Sequence, residues 1–224
     1  FALRNVGFTL PRGTVMGLIG ENGAGKTTLM KLICGILKPR RGKIKTNGTV
    51  RYLVQNPLSI FTEITAEDEL AVCCGRDPKA VEEMLEKMEL TEFREQNPLD
   101  LSGGQQQRLA LGKVLLTKPE ILLLDEPTKG MDGGFKVKFG AMLRELKKQG
   151  ITTVLVSHDM EFCAEYATYC GLMFDREIIS FGPTREFFAE NVYYTTAAAR
   201  MTRGILKDCL VAEDIMAALE KGRA

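Results

Sequence analysis

Gly20-Glu21-Asn22-Gly23-Ala24-Gly25-Lys26-Thr27 fits the pattern G-x-x-x-x-G-K-[ST] at every constrained position. Three glycines in eight residues let the backbone curl until successive N–H groups face inward, and the nest they form opens onto the positive N-terminus of the helix that follows. Such a cradle takes phosphate oxygens. On this reading Lys26 reaches the β- and γ-phosphates of a nucleotide, the Thr27 hydroxyl ligates a bridging magnesium ion, and Thr28 completes the nucleotide-binding loop. The flanks give the motif its meaning. Residues 14–19 read as a buried strand, and residues 28–37 have helical length and spacing, which is the strand-loop-helix setting that a phosphate loop needs.

A chain of 224 residues is long enough for one large domain with a full sheet covered on both faces. With 45% hydrophobic residues, 26% charged residues and a net charge of +1, it is an ordinary globular sequence, and its surface as a whole is not built for nucleic acid or anionic lipid. Cys34, Cys73, Cys74, Cys163, Cys170 and Cys209 show no C-x-x-C spacing and read as reduced thiols of a cytosolic protein. No apolar run approaches the roughly 18 residues a bilayer demands, so a membrane role would come through a separate polypeptide. The opening Phe1-Ala2-Leu3-Arg4-Asn5-Val6 is already strand-like, which is expected of a sequence that begins inside a longer protein.

Strands are expected at 4–10, 14–19, 49–54, 120–125 and 151–157, interleaved with helices and loops as in an α/β core. Between Thr65 and Leu90 the chain turns acidic and helical, with Val81, Met84, Leu85 and Met88 on one face, and a small helical insert is expected there. Beyond Gly182-Pro183 a tail ends in a stripe of Leu210, Ile215, Met216 and Leu219, expected to form an amphipathic helix that caps the core or meets a partner.

Ile121-Leu122-Leu123-Leu124-Asp125-Glu126 runs four apolar residues into two carboxylates, the pattern of a buried parallel strand whose C-terminal edge carries chemistry. Asp125 would hold magnesium, directly or through water, and Glu126 would polarise an attacking water. Adjacent strand residues point to opposite faces, so these two can share a site only if the strand stops there. Pro127 favours such a stop. A second anion-binding element is expected at Leu101-Ser102-Gly103-Gly104-Gln105, where a hydroxyl, two glycines and a helix start coincide.

With the phosphate loop, L-S-G-G-Q at 101–105 and the Asp125-Glu126 strand in this order, the sequence resembles the ATP-binding cassette (ABC) ATPases over nearly its whole length. The resemblance implies an α/β P-loop NTPase (RecA-like) core with an antiparallel β-subdomain and a helical signature subdomain. It implies one domain over 1–224: a nucleotide-binding core at 1–60 and 105–183, a helical subdomain at 61–104 and a tail at 184–224. It also implies ATP and Mg2+ as ligands and a head-to-tail dimer, in which Ser102, Gly103, Gly104 and Gln105 contact the nucleotide of the other cassette while Lys26 and Glu126 act on their own. By resemblance Gln55 is the glutamine that touches magnesium and links nucleotide state to a membrane partner, and His158, the only histidine, senses the γ-phosphate. Asp132, in Lys129-Gly130-Met131-Asp132, stands in the dimer-contact loop, with Met131 where leucine is common. The adenine-stacking aromatic of the family would lie ahead of Phe1, or be Phe1 itself.

Within the family, Gly17–Thr28, Gln105–Gly112, Thr128–Asp132 and the tail stretch Phe187–Ala198 are similar to the ATPase subunits of energy-coupling factor and cobalt-type importers, the tail stretch to the second cassette of fused double forms. This implies a vitamin or metal-ion importer ATPase, peripheral on the cytoplasmic face of the membrane. Its implied partners are a second cassette, transmembrane subunits and a substrate-binding membrane component, with no nucleic acid. The rival reading is a soluble ABC ATPase of translation or DNA repair. Those carry coiled-coil inserts, zinc-binding cysteines or basic arms, and no such signal stands in this sequence.

Overall fold

Val15-Met16-Gly17-Leu18-Ile19-Gly20 is buried at every position, as a strand covered on both faces must be. It is the first regular element of a computed structural model that describes residues 3–191, 194–202, 205–206 and 209–221. In chain order these residues form β1 (Val15–Gly20), α1 (Lys26–Ile33), β2 (Val50–Leu53), α2 (Ala66–Ala71), α3 (Pro78–Lys87), α4 (Gly103–Leu116), β3 (Ile121–Asp125), α5 (Gly133–Lys148), β4 (Thr152–Val156), α6 (Met160–Tyr166), β5 (Tyr169–Phe174), β6 (Glu177–Pro183), α7 (Thr184–Glu190), α8 (Ala197–Thr202) and α9 (Ala212–Lys221). The chain divides into two compact units, Phe1–Leu29 with Gly140–Ala224, and Met30–Phe139.

In the first unit β1 is flanked by two parallel neighbours. Val15 to Leu18 pair with Thr153 to Val156 of β4, and Met16 to Gly20 pair with Tyr169 to Met173 of β5. β6 then adds antiparallel to β5. Met16, Leu18, Leu155, Leu172, Met173 and Phe187 fill its core, all nearly sealed from solvent. In the tail, Leu210 is buried and Ile215 half-buried, but Met216 and Leu219 remain exposed, so the predicted stripe covers the unit at one end only.

Residues 4–10 form no strand, against the sequence expectation. Asn5 takes a left-handed backbone with φ 49°, which interrupts the extended run. Near it, Arg4 N–H donates to the Arg176 carbonyl and its guanidinium bonds Asp175, so the segment is tied to the β5–β6 turn rather than to a ladder. The strand-like reading of Phe1 and Ala2 falls outside the described residues, as do Val192 and Tyr193.

In the second unit Val50 to Leu53 of β2 pair in parallel with Ile121 to Leu124 of β3. The helical insert is present as expected. Thr65 caps α2 by accepting from Asp68 N–H, Asp77 caps α3 with Pro78 at its first turn, and Val81, Leu85 and Met88 turn inward with Leu70 and Leu109. Burying one such leucine is worth about 1.5–3 kcal/mol. A polar contact runs through this apolar packing: Lys113 on α4 pairs with Glu69 on α2, and Glu69 is wholly buried. One Glu69 oxygen accepts from the N–H groups of Thr62 and Glu63, the latter at 2.7 Å, while Lys113 Nζ donates to the Ile60 carbonyl at 2.7 Å. The loop that follows Gln55 is thereby pinned between α2 and α4.

Candidate functional site

The phosphate loop belongs to the first unit. β1 delivers the chain to Gly20, where a Cβ would come within 2.2 Å of the Met173 carbonyl oxygen. That obstacle is backbone and cannot retreat, so no other residue fits. Ala24 N–H donates to the Glu21 carbonyl at 3.2 Å, and Leu29 N–H donates to the Gly25 carbonyl at 2.9 Å as α1 begins. Lys26 is only 7% exposed. Its ammonium donates to the carbonyls of Gly20 at 2.7 Å and Glu21 at 2.9 Å, so the cation lies inside the curl it helps to hold.

Two side chains from elsewhere in the unit lie beside the loop's outer residues. His158, exposed just past the end of β4, places Nε2 3.1 Å from Asn22 Oδ1. Behind it, buried Ser157 accepts the Asp159 N–H at 3.0 Å, and Asp159 caps α6 through Phe162 N–H, so the histidine sits on a fixed turn. The second side chain was not foreseen. Half-buried Tyr194 lies near Glu21, and burial foremost, then the Glu21 charge, raises the phenol above its ordinary range. No motif marks Tyr194, because Glu21 lies far away in sequence.

The remaining expected residues belong to the second unit. β3 ends at Asp125, which is 1% exposed, and the half-buried Tyr52 donates its hydroxyl to Asp125 Oδ2 at 2.9 Å. Burial, reinforced by the Asp125 charge, pushes the Tyr52 phenol well up and keeps it protonated as a donor. Glu126 adopts φ 53°, so the strand stops between the two carboxylates and the alternation that would send them to opposite faces is broken. Gln55 is exposed two residues beyond β2.

At the start of α4, Ser102 and Gln105 form a capping box. Ser102 N–H donates to Gln105 Oε1 at 2.8 Å and Gln105 N–H donates to Ser102 Oγ at 3.4 Å. The sequence reading left those groups for phosphate; the S-x-x-Q spacing was the signal for the cap. Ser102 keeps its hydroxyl proton as a donor. Gly104 lies against the Gly130 carbonyl, and a Cβ there would approach that oxygen to 2.5 Å. Asp132 caps α5 by accepting Phe135 N–H at 2.9 Å, and this bond, ahead of the Arg108 charge 3.8 Å away, holds its carboxyl below the usual range. Met131 is buried, as an apolar stand-in for leucine should be.

Gly20–Thr28 and His158 are thus gathered in one unit, and Gln55, Ser102–Gln105, Asp125, Glu126 and Asp132 in the other. Among the described residues no group of three or more His, Cys, Asp or Glu could hold a metal by itself. The Thr27 hydroxyl, the Gln55 amide and the Asp125 carboxylate are each hard oxygen donors of the kind magnesium takes. Among the same residues no helix is long and apolar enough to cross a membrane.

The family model described as ABC transporter matches residues 3–129. A relative from Bacillus cereus, named as an ABC transporter ATP-binding protein, is 39% identical over 231 residues, which cover 95% of this chain and 42% of the relative. The chain belongs to the ABC transporter family. A second ABC transporter ATP-binding relative, from Pyrococcus horikoshii, is 35% identical over 206 residues, covering 83% of this chain and 79% of its own. Among solved structures, cbiO1 of Clostridium perfringens, part of the ABC transporter complex cbiONQ, superposes with a TM-score of 0.73 at 27% identity, covering 84% of each chain. A dimeric bacterial ABC transporter cassette gives 0.71 at 25% identity, covering 82% of this chain and 90% of that one. This chain is therefore a member of the ABC ATPase cassette family on the P-loop α/β fold. It spans about two fifths of the Bacillus relative's length.

Proposed function

We propose that this cassette binds ATP with magnesium, pairs with a second cassette around the nucleotide, and hydrolyses it to drive an importer of the energy-coupling factor type for a vitamin or metal ion. The observation that carries the reading is Lys26: a buried ammonium held inside an amide-lined turn at the end of a core strand is a site made for a polyanion. Gly20–Thr28 would cradle the phosphates. Thr27, Gln55 and Asp125 would hold magnesium, which neutralises charge developing between the β- and γ-phosphates. Glu126 would take a proton from the attacking water, and His158 would sense the γ-phosphate from the end of β4. Ser102, Gly103, Gly104 and Gln105 would close on the nucleotide of the other cassette, with Asp132 at the contact between the two. Nucleotide then favours the paired state, and hydrolysis releases it.

The importer reading is supported by the likeness to cbiO1, and the coverage of about two fifths of the Bacillus relative fits one cassette of a fused pair. The 1–224 segment would act as a single cassette, peripheral on the cytoplasmic face, with separate transmembrane subunits and a substrate-binding membrane component as partners.

Two variants test this. Lys26→Ala should abolish binding of a fluorescent ATP analogue. Glu126→Gln should keep binding, lower turnover by about 10²–10⁴-fold as loss of a general base does, and run as an ATP-dependent dimer on a sizing column. Rapid turnover by the Glu126 variant would remove that residue from its role, and unaltered nucleotide affinity of the Lys26 variant would overturn the phosphate-loop assignment.

A further inference from the structure

Gln55 sits in a span that is fixed on both sides. Ahead of it Leu53, the last residue of β2, pairs with Leu124 of β3. Just beyond it Asn56 Oδ1 accepts the Leu58 N–H at 3.2 Å and Ser59 Oγ donates to the Asn56 carbonyl at 2.8 Å, which folds Pro57–Ile60 into one tight turn. That turn runs straight into the buried ion pair of this unit. Lys113 Nζ donates to the Ile60 carbonyl at 2.7 Å and pairs with one oxygen of Glu69, whose other oxygen accepts the N–H groups of Thr62 and Glu63. The ammonium also lies 5.9 Å from the centre of the Phe61 ring. Residues 60–63 thus converge on a single pair of charges. Stability gives no reason for charges here, since packed apolar residues of similar volume often serve a core as well or better. What apolar side chains cannot do is hold backbone: they offer no acceptor to two N–H groups and no donor to a carbonyl.

We propose that Glu69 and Lys113 are positioning residues for Gln55: by fixing residues 60–63 they hold the stretch of backbone that presents the glutamine to the magnesium of a bound nucleotide. The inference rests on Gln55 being the glutamine that meets that magnesium. Both charged residues are buried and act through the loop alone. Gly20–Thr28 would still cradle the phosphates without them, so loss of the pair lowers kcat and leaves KM for Mg-ATP within about twofold.

The test compares the full chain with its Glu69→Leu, Lys113→Met double variant, which keeps the core apolar and paired in volume while removing both the acceptor and the donor. In the nucleotide-free protein, 15N relaxation should give backbone order parameters at 55–63 near about 0.85 in the parent and below about 0.6 in the double variant. In steady-state ATP turnover kcat should fall about tenfold, the low end of the roughly 10–100-fold that losing the support behind a metal ligand costs. In a Gln55→Ala background the double variant should have no further effect on kcat. A double variant that turns over at the parental rate overturns the proposal, and so does a tenfold loss that persists in Gln55→Ala. The parent alone, with no substitution at all, can also overturn it by showing 55–63 already mobile. The reading beneath it fails on a different observation: Gln55→Ala with parental turnover would remove that glutamine from its role.

Discussion

Replacing Lys113 by methionine should be among the most costly single changes in the second unit. Glu69 is 0% exposed and the Lys113 side chain 10%, so the substitution leaves a carboxylate sealed among apolar side chains with only the N–H groups of Thr62 and Glu63 to solvate it. Removing one partner of such a pair costs about 3–5 kcal/mol, because the desolvation of the survivor is no longer offset. A chain of this size loses about 2–4 °C of melting temperature per kcal/mol, which puts the expected drop at about 6–20 °C. The double variant Glu69→Leu with Lys113→Met removes both charges and replaces them with apolar volume, so it should recover most of that loss. Circular-dichroism melts of the single and double variants give the comparison. Hydrogen exchange adds a local readout, since the amides of Thr62 and Glu63 should lose protection in Glu69→Leu, which takes away their acceptor. A Lys113→Met melting point within about 1 °C of the parent, or a double variant no better than the single, would refute the reasoning that burial sets the cost.

Gly104→Ala would place a methyl 2.5 Å from the Gly130 carbonyl, and forcing apart two backbones should cost about 1–3 kcal/mol, read as a shifted urea midpoint. Tyr52→Phe takes the hydroxyl from a buried Asp125 and should cost about 1–2 kcal/mol at neutral pH, below the full value of a hydrogen bond to a charged group because the ring is half exposed. The folded Tyr52 phenol titrates above its unfolded value near 10, so its contribution is complete below about pH 10 and declines as pH rises beyond it. The stability difference between parent and Tyr52→Phe should accordingly narrow above pH 10. A difference that widens there would contradict the burial argument.

The phosphate loop, the β1, β2, β3 and β4 strands and the helical insert were legible because each is a local pattern: a glycine spacing, an apolar run, a 3.6-residue stripe. β5 and β6 were not. The turn between them is Asp175-Arg176, both left-handed at φ 39° and 71°, without the glycine or asparagine that ordinarily announces a two-residue hairpin. β6 reads Glu-Ile-Ile-Ser-Phe-Gly-Pro, with no clean alternation to mark a face. The expected strand at 4–10 erred the other way, since its apolar spacing carries no sign of the left-handed Asn5. At the site, the residues named from motifs were found on the elements expected of them, but their fixings were not visible. The Tyr52–Asp125 and His158–Asn22 bonds join positions 73 and 136 residues apart, and only the tertiary fold brings them together.

Gly104 and Gly130 meet main chain to main chain, with no side chain between them to bend. A joint of this kind has no slack: any shift of the first turn of α4 must be taken up at once by the segment leading to Asp132. Gly104 cannot acquire bulk unless the Gly130 carbonyl yields, whereas Gly130 is held to glycine by its own left-handed backbone at φ 76°. Motion entering at one would leave at the other with little loss, much as through a rigid coupling rather than a spring.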